Sequence, residues 1–208
     1  MSRPLGVLRP EPGNAATAAR IAGLGHRTLR LPLFAVTPVA WEAPDPGDFD
    51  ALLLTSANAV RHGGDQLAGL RALPVIAVGA ATARAARDAG LTVTQIGEAG
   101  VAALRLPPRV LHLAGREHHA VPEADTRIVY DSVALSPDLS GLSDGVALVH
   151  SPRAGARLAK LVAERRGIAV AAISPAAAAA AGSGWRAIAV ADRPDDVATI
   201  AAALTLAD

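Results

Sequence analysis

The sequence contains no cysteine among its 208 residues. This absence excludes a disulfide scaffold, a thiol nucleophile and a cysteine-ligated zinc site. Aromatic residues are also scarce, with two tryptophans, two phenylalanines and one tyrosine. The core must therefore be built from many small aliphatic side chains, chiefly Ala, Leu and Val. Such side chains suit closely packed layers of helices on sheets.

Neither sign of charge dominates, since 20 basic and 19 acidic residues give a formal net charge of +1. This balance argues against a nucleic-acid partner held by a broad basic field. It leaves room for an anionic small molecule held by a local arginine cluster.

Long apolar runs are missing as well. The longest small-apolar stretch, residues 169–185, is interrupted by Pro175 and by several Ser and Gly residues. A membrane span needs about 20 predominantly apolar residues. Arg9 and Pro10 interrupt the first apolar run, so no secretory signal is predicted there. We expect a cytoplasmic protein with no membrane partner.

Short apolar runs alternate with helical stretches rich in Ala and Arg. The runs lie at residues 6–8, 51–54, 75–78, 93–96, 110–113, 128–130, 146–149, 169–173 and 187–190. Helices are predicted at residues 14–23, 57–70, 80–89, 154–165 and 195–204. Continuous apolar strands separated by helices indicate βαβ units and parallel sheets buried on both faces. Asn14 and Asp195 are expected at helix N-caps, and Gly23, Gly90 and Gly167 at helix ends.

An internal repeat indicates two similar lobes. Leu53-Leu54-Thr55-Ser56 is similar to Leu148-Val149-His150-Ser151, and the segment 75–82 is similar to the segment 170–177. A repeat of strand and helix in the same order predicts two lobes, not one continuous sheet. Chance similarity among Ala-rich segments is the alternative, but the polar residues recur in step with the apolar runs.

Two extended, β-prone stretches interrupt the alternation of helix and strand, at residues 29–39 and 126–136. If they form an antiparallel pair of connectors, the chain leaves the first lobe early, builds the second and returns. This layout predicts residues 1–33 plus 134–208 as lobe one, and residues 34–133 as lobe two.

Polar residues follow several of the predicted strands. Ligands of doubly wound sheets bind at the carboxyl ends of the strands, where helix N-termini present free N–H groups. The candidates for binding a molecule with several carboxylates in one cleft are Arg9, Thr55, Ser56, Thr82, Arg116, Ser151 and Ser174. Each Ser or Thr could instead be a helix N-cap, and each Arg an ordinary surface residue.

Signals for cofactors and metals are missing. The Gly23-Leu-Gly25 segment lacks the third glycine and the preceding strand of a dinucleotide fingerprint, and no Gly-Lys-Ser/Thr motif is present. His112, His118 and His119 lie close in sequence, but no carboxylate at ligand spacing completes a metal site. Neither Ser56 nor Ser151 stands in the Gly-x-Ser-x-Gly elbow that a Ser/His/Asp triad would need. We expect neither a cofactor nor a bound metal.

Tyr130 is the single tyrosine and lies in the second predicted connector. It is either an ordinary half-buried strand residue or a group that donates or accepts a proton at the cleft.

The motifs together resemble those of the uroporphyrinogen-III synthase family. They are Leu52-Leu53-Leu54-Thr55-Ser56-Ala57-Asn58, Val78-Gly79-Ala80-Ala81-Thr82 with Gly90, Val129-Tyr130, Leu8-Arg9-Pro10 and His112-Leu113-Ala114-Gly115-Arg116. The resemblance extends over nearly the whole chain. It implies two flavodoxin-like lobes joined by a two-stranded connector, and a monomeric, cofactor-independent cyclising lyase.

The resemblance also implies a reaction. Hydroxymethylbilane, a linear tetrapyrrole with eight carboxylates, loses its terminal hydroxyl, and ring D attacks the resulting azafulvene through its substituted carbon. The spiro intermediate then fragments and recloses to uroporphyrinogen III with ring D inverted. Tyr130 matches the family's connector tyrosine, which is proposed to assist departure of the hydroxyl, and Thr55, Ser56, Thr82 and Ser151 match its cleft-lining hydroxyl positions.

One position departs from the family pattern. Where a second Gly-x-Thr-Thr-Ala turn is common, this chain has Ser174-Pro175-Ala176-Ala177, so the expected hydroxyl at Ala177 is missing. Two other functions stay open from the sequence: a non-catalytic two-lobed binding or sensor protein of the same fold, and an unrelated α/β transferase. The transferase would need a nucleotide-phosphate loop that the sequence does not show.

Overall fold

The computed structural model describes residues 2–97, 100–101 and 104–207. The chain divides into two compact units, residues 1–35 with 134–208 and residues 36–133. The strands are β1 (Leu5–Val7), β2 (Thr28–Arg30), β3 (Phe34–Pro38), β4 (Ala51–Leu54), β5 (Val75–Val78), β6 (Val93–Gly97), β7 (Val110–Gly115), β8 (Ala124–Ala134), β9 (Val146–Val149), β10 (Ala169–Ala172) and β11 (Ala187–Val190). The helices are α1 (Gly13–Gly23), α2 (Ala57–His62), α3 (Ala80–Asp88), α4 (Pro152–Leu161), α5 (Pro175–Ala181) and α6 (Asp196–Ala207).

The predicted α/β class with two separate parallel sheets is confirmed. In the first unit the strand order is β2-β1-β9-β10-β11, and all neighbours are parallel. In the second, β8-β7-β4-β5-β6 are parallel neighbours, with β3 beyond β8. The first order is the flavodoxin order 2-1-3-4-5. The second unit has the same spatial order, but β7 and β8 take the places of β1 and β2.

This equivalence explains the internal repeat. The similar segments of the sequence occupy β4 and β9, then β5 and β10. Each pair holds the same position in its own sheet. The repeat therefore reflects two sheets with the same strand order. The chain begins the first sheet at a central strand and its edge neighbour, whereas in the second sheet it forms the equivalent two strands last.

The chain passes between the units through β3 and β8. Val39 N donates to Val129 O at 3.0 Å, and Leu135 N donates to Leu33 O at 2.9 Å, so these segments run antiparallel. The predicted extended stretch 29–39 is not one strand, because residues 31–33 separate β2 from β3. Pro32 has no N–H to donate to a ladder, which favours a break at this point.

Three local predictions are wrong. Asn14 is not an N-cap but a buried residue inside α1, whose side-chain amide donates to Val7 O and Arg9 O. Gly167 does not end α4, which stops at Leu161. The helix predicted over 57–70 splits into α2 and a 3-10 turn, because Gly64 adopts a left-handed φ of 63° that favours glycine.

The cores consist of fully buried strands covered by small helix side chains. The strands β4, β9 and β10 are buried at every residue. Alanine lets helices approach closely, and α4 and α5 are the extreme case. A Cβ on Gly155 would lie 2.6 Å from Ala177 O and 2.9 Å from Ala181 N, so the two helix backbones touch at this glycine.

Gly155→Ala should therefore destabilise the protein. The added methyl group meets rigid helix backbone and forces α4 and α5 apart, which costs about 1–3 kcal/mol. The free energy of unfolding in urea measures the effect. Gly23→Ala is the control, because a Cβ at this last residue of α1 meets no atom within 4 Å. Equal stability of the two variants would contradict the close packing of α4 on α5.

Candidate functional site

Each sheet has one point at which the strand order reverses. In the first unit it lies between β1 and β9, and in the second between β7 and β4. Crossovers leave such a pair of strands toward opposite faces, which opens a crevice beyond the carboxyl ends where α/β folds bind ligands. Arg9 and Ser151 follow the strands of the first crevice, and Arg116, Thr55 and Ser56 follow those of the second. Five of the seven predicted binding residues thus flank the two reversal points.

Thr55 is joined to the neighbouring strand by a buried histidine. Its Oγ1 lies 3.1 Å from Nε2 of His112, which is completely buried on β7. The other ring nitrogen, Nδ1, lies 3.3 Å from Oγ1 of Thr126 on β8. The imidazole therefore links two hydroxyl groups across three adjacent strands.

His112 carries no charge at neutral pH. Burial, together with the nearby His118, lowers its pKa to about 4. The two rings meet edge to face with centroids 5.8 Å apart, and His118 Nδ1 donates to Gly115 O at 2.9 Å. His112 thus has one N–H and one lone pair, which fixes how it can bond to the two threonines.

Three of the predicted serines are N-caps. The Oγ atoms of Ser56, Ser151 and Ser174 accept the N–H groups of Asn58, Ala154 and Ala177 at the starts of α2, α4 and α5. Capping uses a lone pair of the hydroxyl oxygen and leaves its proton to donate. The capping and binding interpretations are therefore compatible.

The start of α3 is arranged differently. Gly79 occupies the N-cap position at φ 81°, and no side chain caps the helix. Thr82 is only 5% exposed and lies on the buried face of α3. The turn therefore presents the backbone N–H groups of Ala80 and Ala81, not a threonine hydroxyl, at the positive end of the helix dipole.

Arg116, directly after β7, adjoins Tyr130, which lies within the neighbouring strand β8. Arg116 N donates to Tyr130 O at 2.9 Å, and its side chain, 61% exposed, pairs with Asp131 at 3.1 Å. The half-buried Tyr130 ring lies against Gly115, where an added Cβ would come within 2.5 Å of it. The Tyr130 hydroxyl has no hydrogen-bond partner among the residues that the structure describes.

In the first unit, Arg9 belongs to a network centred on Asp196. Oδ1 of this carboxylate accepts from Thr17 Oγ1 at 2.6 Å and His150 Nε2 at 2.8 Å, and it lies 3.3 Å from Arg9. Arg20 pairs with Oδ2. Arg9 is thus held by a carboxylate of the protein, and its side chain is one-third exposed.

Burial alone would raise the pKa of Asp196. Hydrogen bonds from His150, Thr17 and Arg20 outweigh it, and the pKa lies far below its usual range. Sequence reasoning missed Asp196 and its contact with His150. The two are 46 positions apart, and no local motif links them.

The described part of the chain offers neither a cluster of metal ligands nor a membrane-spanning helix. No group of three or more His, Asp or Glu side chains there is placed to hold a metal ion. None of the helices in the same residues is both long and apolar enough to cross a bilayer.

Comparison with known proteins gives a consistent result. The family described as uroporphyrinogen-III synthase HemD matches residues 15–201. The crystal structure of uroporphyrinogen-III synthetase from Helicobacter pylori is 20% identical with a TM-score of 0.71, covering 99% of this chain and 100% of that one. A mutant uroporphyrinogen III synthase from Thermus thermophilus is 18% identical with a TM-score of 0.54, covering 98% and 99%. The comparison with curated proteins found no match.

Asp196→Asn should lower stability at neutral pH by about 2 kcal/mol, since charge-assisted hydrogen bonds are lost. The folded pKa is depressed, so the ionised form stabilises the fold above the unfolded pKa of about 3.9. That contribution disappears as the pH falls further toward the folded pKa. Urea unfolding from pH 7 to pH 3 should show the gap between wild type and variant narrowing below about pH 4.

Asp192→Asn serves as the control, because Asp192 is exposed and has no ion pair among the described residues. A gap of constant size across this pH range would contradict the stabilising role of the ionised Asp196 carboxylate.

Proposed function

The chain belongs to the uroporphyrinogen-III synthase HemD family, and we propose that it cyclises hydroxymethylbilane to uroporphyrinogen III with the residues at its two reversal points. The observation that carries this proposal is the family match over residues 15–201. The polar groups described above support the choice of residues, because they suit a substrate with many carboxylates.

Carboxylates are bound by donors that need no reorganisation. The N–H groups of Ala80 and Ala81 at the start of α3 offer such donors, as do the free hydroxyl protons of Ser56, Ser151 and Ser174. Thr55 and Arg116 add a hydroxyl and a guanidinium beside the reversal point of the second unit. Thr82 then contributes to substrate binding through its place in the backbone of this turn and not through its hydroxyl. Arg9 contributes while it is paired with Asp196.

The first chemical step removes the terminal hydroxyl. Tyr130 donates its phenolic proton to the departing oxygen, the C–O bond breaks, and the electron pair of the adjacent pyrrole nitrogen forms the azafulvene. Water leaves. General acid assistance of this kind contributes about 10²–10⁴-fold.

The remaining steps form and break carbon–carbon bonds. Ring D attacks the azafulvene carbon through its substituted α-carbon and forms the spiro intermediate. The bond from that carbon to the methylene bridge of ring C then breaks, and the unsubstituted α-carbon of ring D, on the other side of the ring nitrogen, closes onto that methylene. The newly bonded α-carbon loses its proton, which restores the Tyr130 phenol. Holding the two chain ends in this geometry is the larger task, since proximity and orientation can contribute about 7 kcal/mol or more.

We further propose that the protein works as a cytoplasmic monomer without a nucleic-acid or membrane partner. The net charge of +1 supports the absence of a broad basic field. Light scattering of the purified protein measures the oligomeric state directly.

Tyr130→Phe should lower kcat for isomer III by about 10²-fold, because the acid is removed while the ring still packs against Gly115. KM should change little. Initial rates with freshly made hydroxymethylbilane test this, and thermal melting checks that the variant is folded. If a folded variant keeps the wild-type kcat, Tyr130 is not the general acid.

Arg116→Ala should raise KM about tenfold, since a hydrogen bond to a charged substrate group is lost. Arg109→Ala is a matched control. Arg109 precedes β7 whereas Arg116 follows it; their side chains are 57% and 61% exposed, and each pairs with an aspartate. Arg109 lies at the amino end of the strand, so its variant should keep the wild-type KM. If Arg116→Ala has the same KM as Arg109→Ala, Arg116 is an ordinary surface residue that does not bind the substrate.

A further inference from the structure

His112 is a buried polar side chain of the second unit to which the proposed mechanism gives no role. A completely buried histidine on an apolar strand is costly unless its nitrogens are bonded. Both are bonded here, to Thr55 at 3.1 Å and to Thr126 at 3.3 Å. One of these partners, Thr55, stands at the reversal point where β4 meets β7.

The neutral ring admits two arrangements. In the first, Nε2–H donates to Thr55 Oγ1 while the Thr126 hydroxyl donates to Nδ1. The proton of Thr55 is then free to donate to a ligand. In the second, Thr55 donates its proton to Nε2, and its oxygen can only accept.

A carboxylate has acceptors only, so it binds the first arrangement and is repelled by the second. We propose that His112 is a positioning residue that holds the Thr55 oxygen from behind and directs the Thr55 proton toward a substrate carboxylate, with Thr126 keeping the ring in the required tautomer. This inference rests on the proposed function, because it assigns a mechanism to Thr55 as a substrate-binding residue.

The same geometry makes His112 act on binding rather than on chemistry. His112 lies behind Thr55 in the sheet, and its ring nitrogens are used within the protein. Its removal should therefore change KM and leave kcat nearly intact.

A double-mutant cycle tests the inference. Thr55→Val should raise KM about fivefold to tenfold by removing the donor. His112→Leu should raise KM by a similar factor. In the Thr55→Val background, His112→Leu should have no further effect on KM, because the two residues act as one unit. His112→Gln should recover most of the wild-type KM, since its amide can donate toward Thr55.

Thr94→Val in β6 is the matched control for a threonine change, because the Thr94 hydroxyl donates to a strand carbonyl, Val75 O at 3.3 Å, and not to a histidine. Its KM should equal that of wild type. Thermal melting and circular dichroism identify variants that fail to fold. If His112→Leu is one of them, Thr126→Val takes its place, because removing the Thr126 hydroxyl releases the ring from the required tautomer and should also raise KM.

The experiment distinguishes failure of the proposed substrate contact of Thr55 from failure of the proposed role of His112. If Thr55→Val leaves KM unchanged in an active enzyme, the proposed substrate contact of Thr55 is wrong. If Thr55→Val raises KM but neither His112→Leu nor Thr126→Val does, or if the effects of Thr55→Val and His112→Leu add independently, Thr55 binds substrate without His112 and the inference is overturned.

Discussion

The parallel order of the strands is the constraint on which the site depends. Because neighbouring strands point the same way, their carboxyl ends and the helix starts that follow share one edge of each sheet. The reversal of strand order at β1/β9 and at β7/β4 then leaves a crevice at that edge. Every polar group assigned to the substrate derives its place from this arrangement, whether it is a serine cap, an uncapped N–H or the Thr55 hydroxyl.

Small side chains make the arrangement possible in a chain of this composition. The helices reach their sheets through alanine and glycine, to the point that α4 meets α5 at Gly155 without a side chain between them. Large aromatic anchors are unnecessary when layers approach so closely. Because the interior consists mostly of small apolar side chains, its few polar residues stand out, and His112 and Thr82 are among them.

Local patterns predicted most of the fold and part of the site. Apolar runs located the strands, and the recurrence of Ser56 and Ser151 after equivalent strands located two helix starts, because a cap lies next to the helix that it caps. Non-local contacts could not be predicted. Thr17 and Asp196 are 179 positions apart, and Thr55 and His112 are 57 apart, so their bonds exist only once the sheets form. The burial of Thr82 depends on which face of α3 meets the core.

The proposed function requires the chain to direct the cyclisation to the inverted isomer. The most direct measurement incubates the purified wild-type protein with freshly made hydroxymethylbilane, oxidises the products and separates the isomers. We expect isomer III as the main product, formed faster than in the spontaneous reaction. Isomer I alone at the spontaneous rate would contradict it and leave a binding protein that kept the fold without the chemistry.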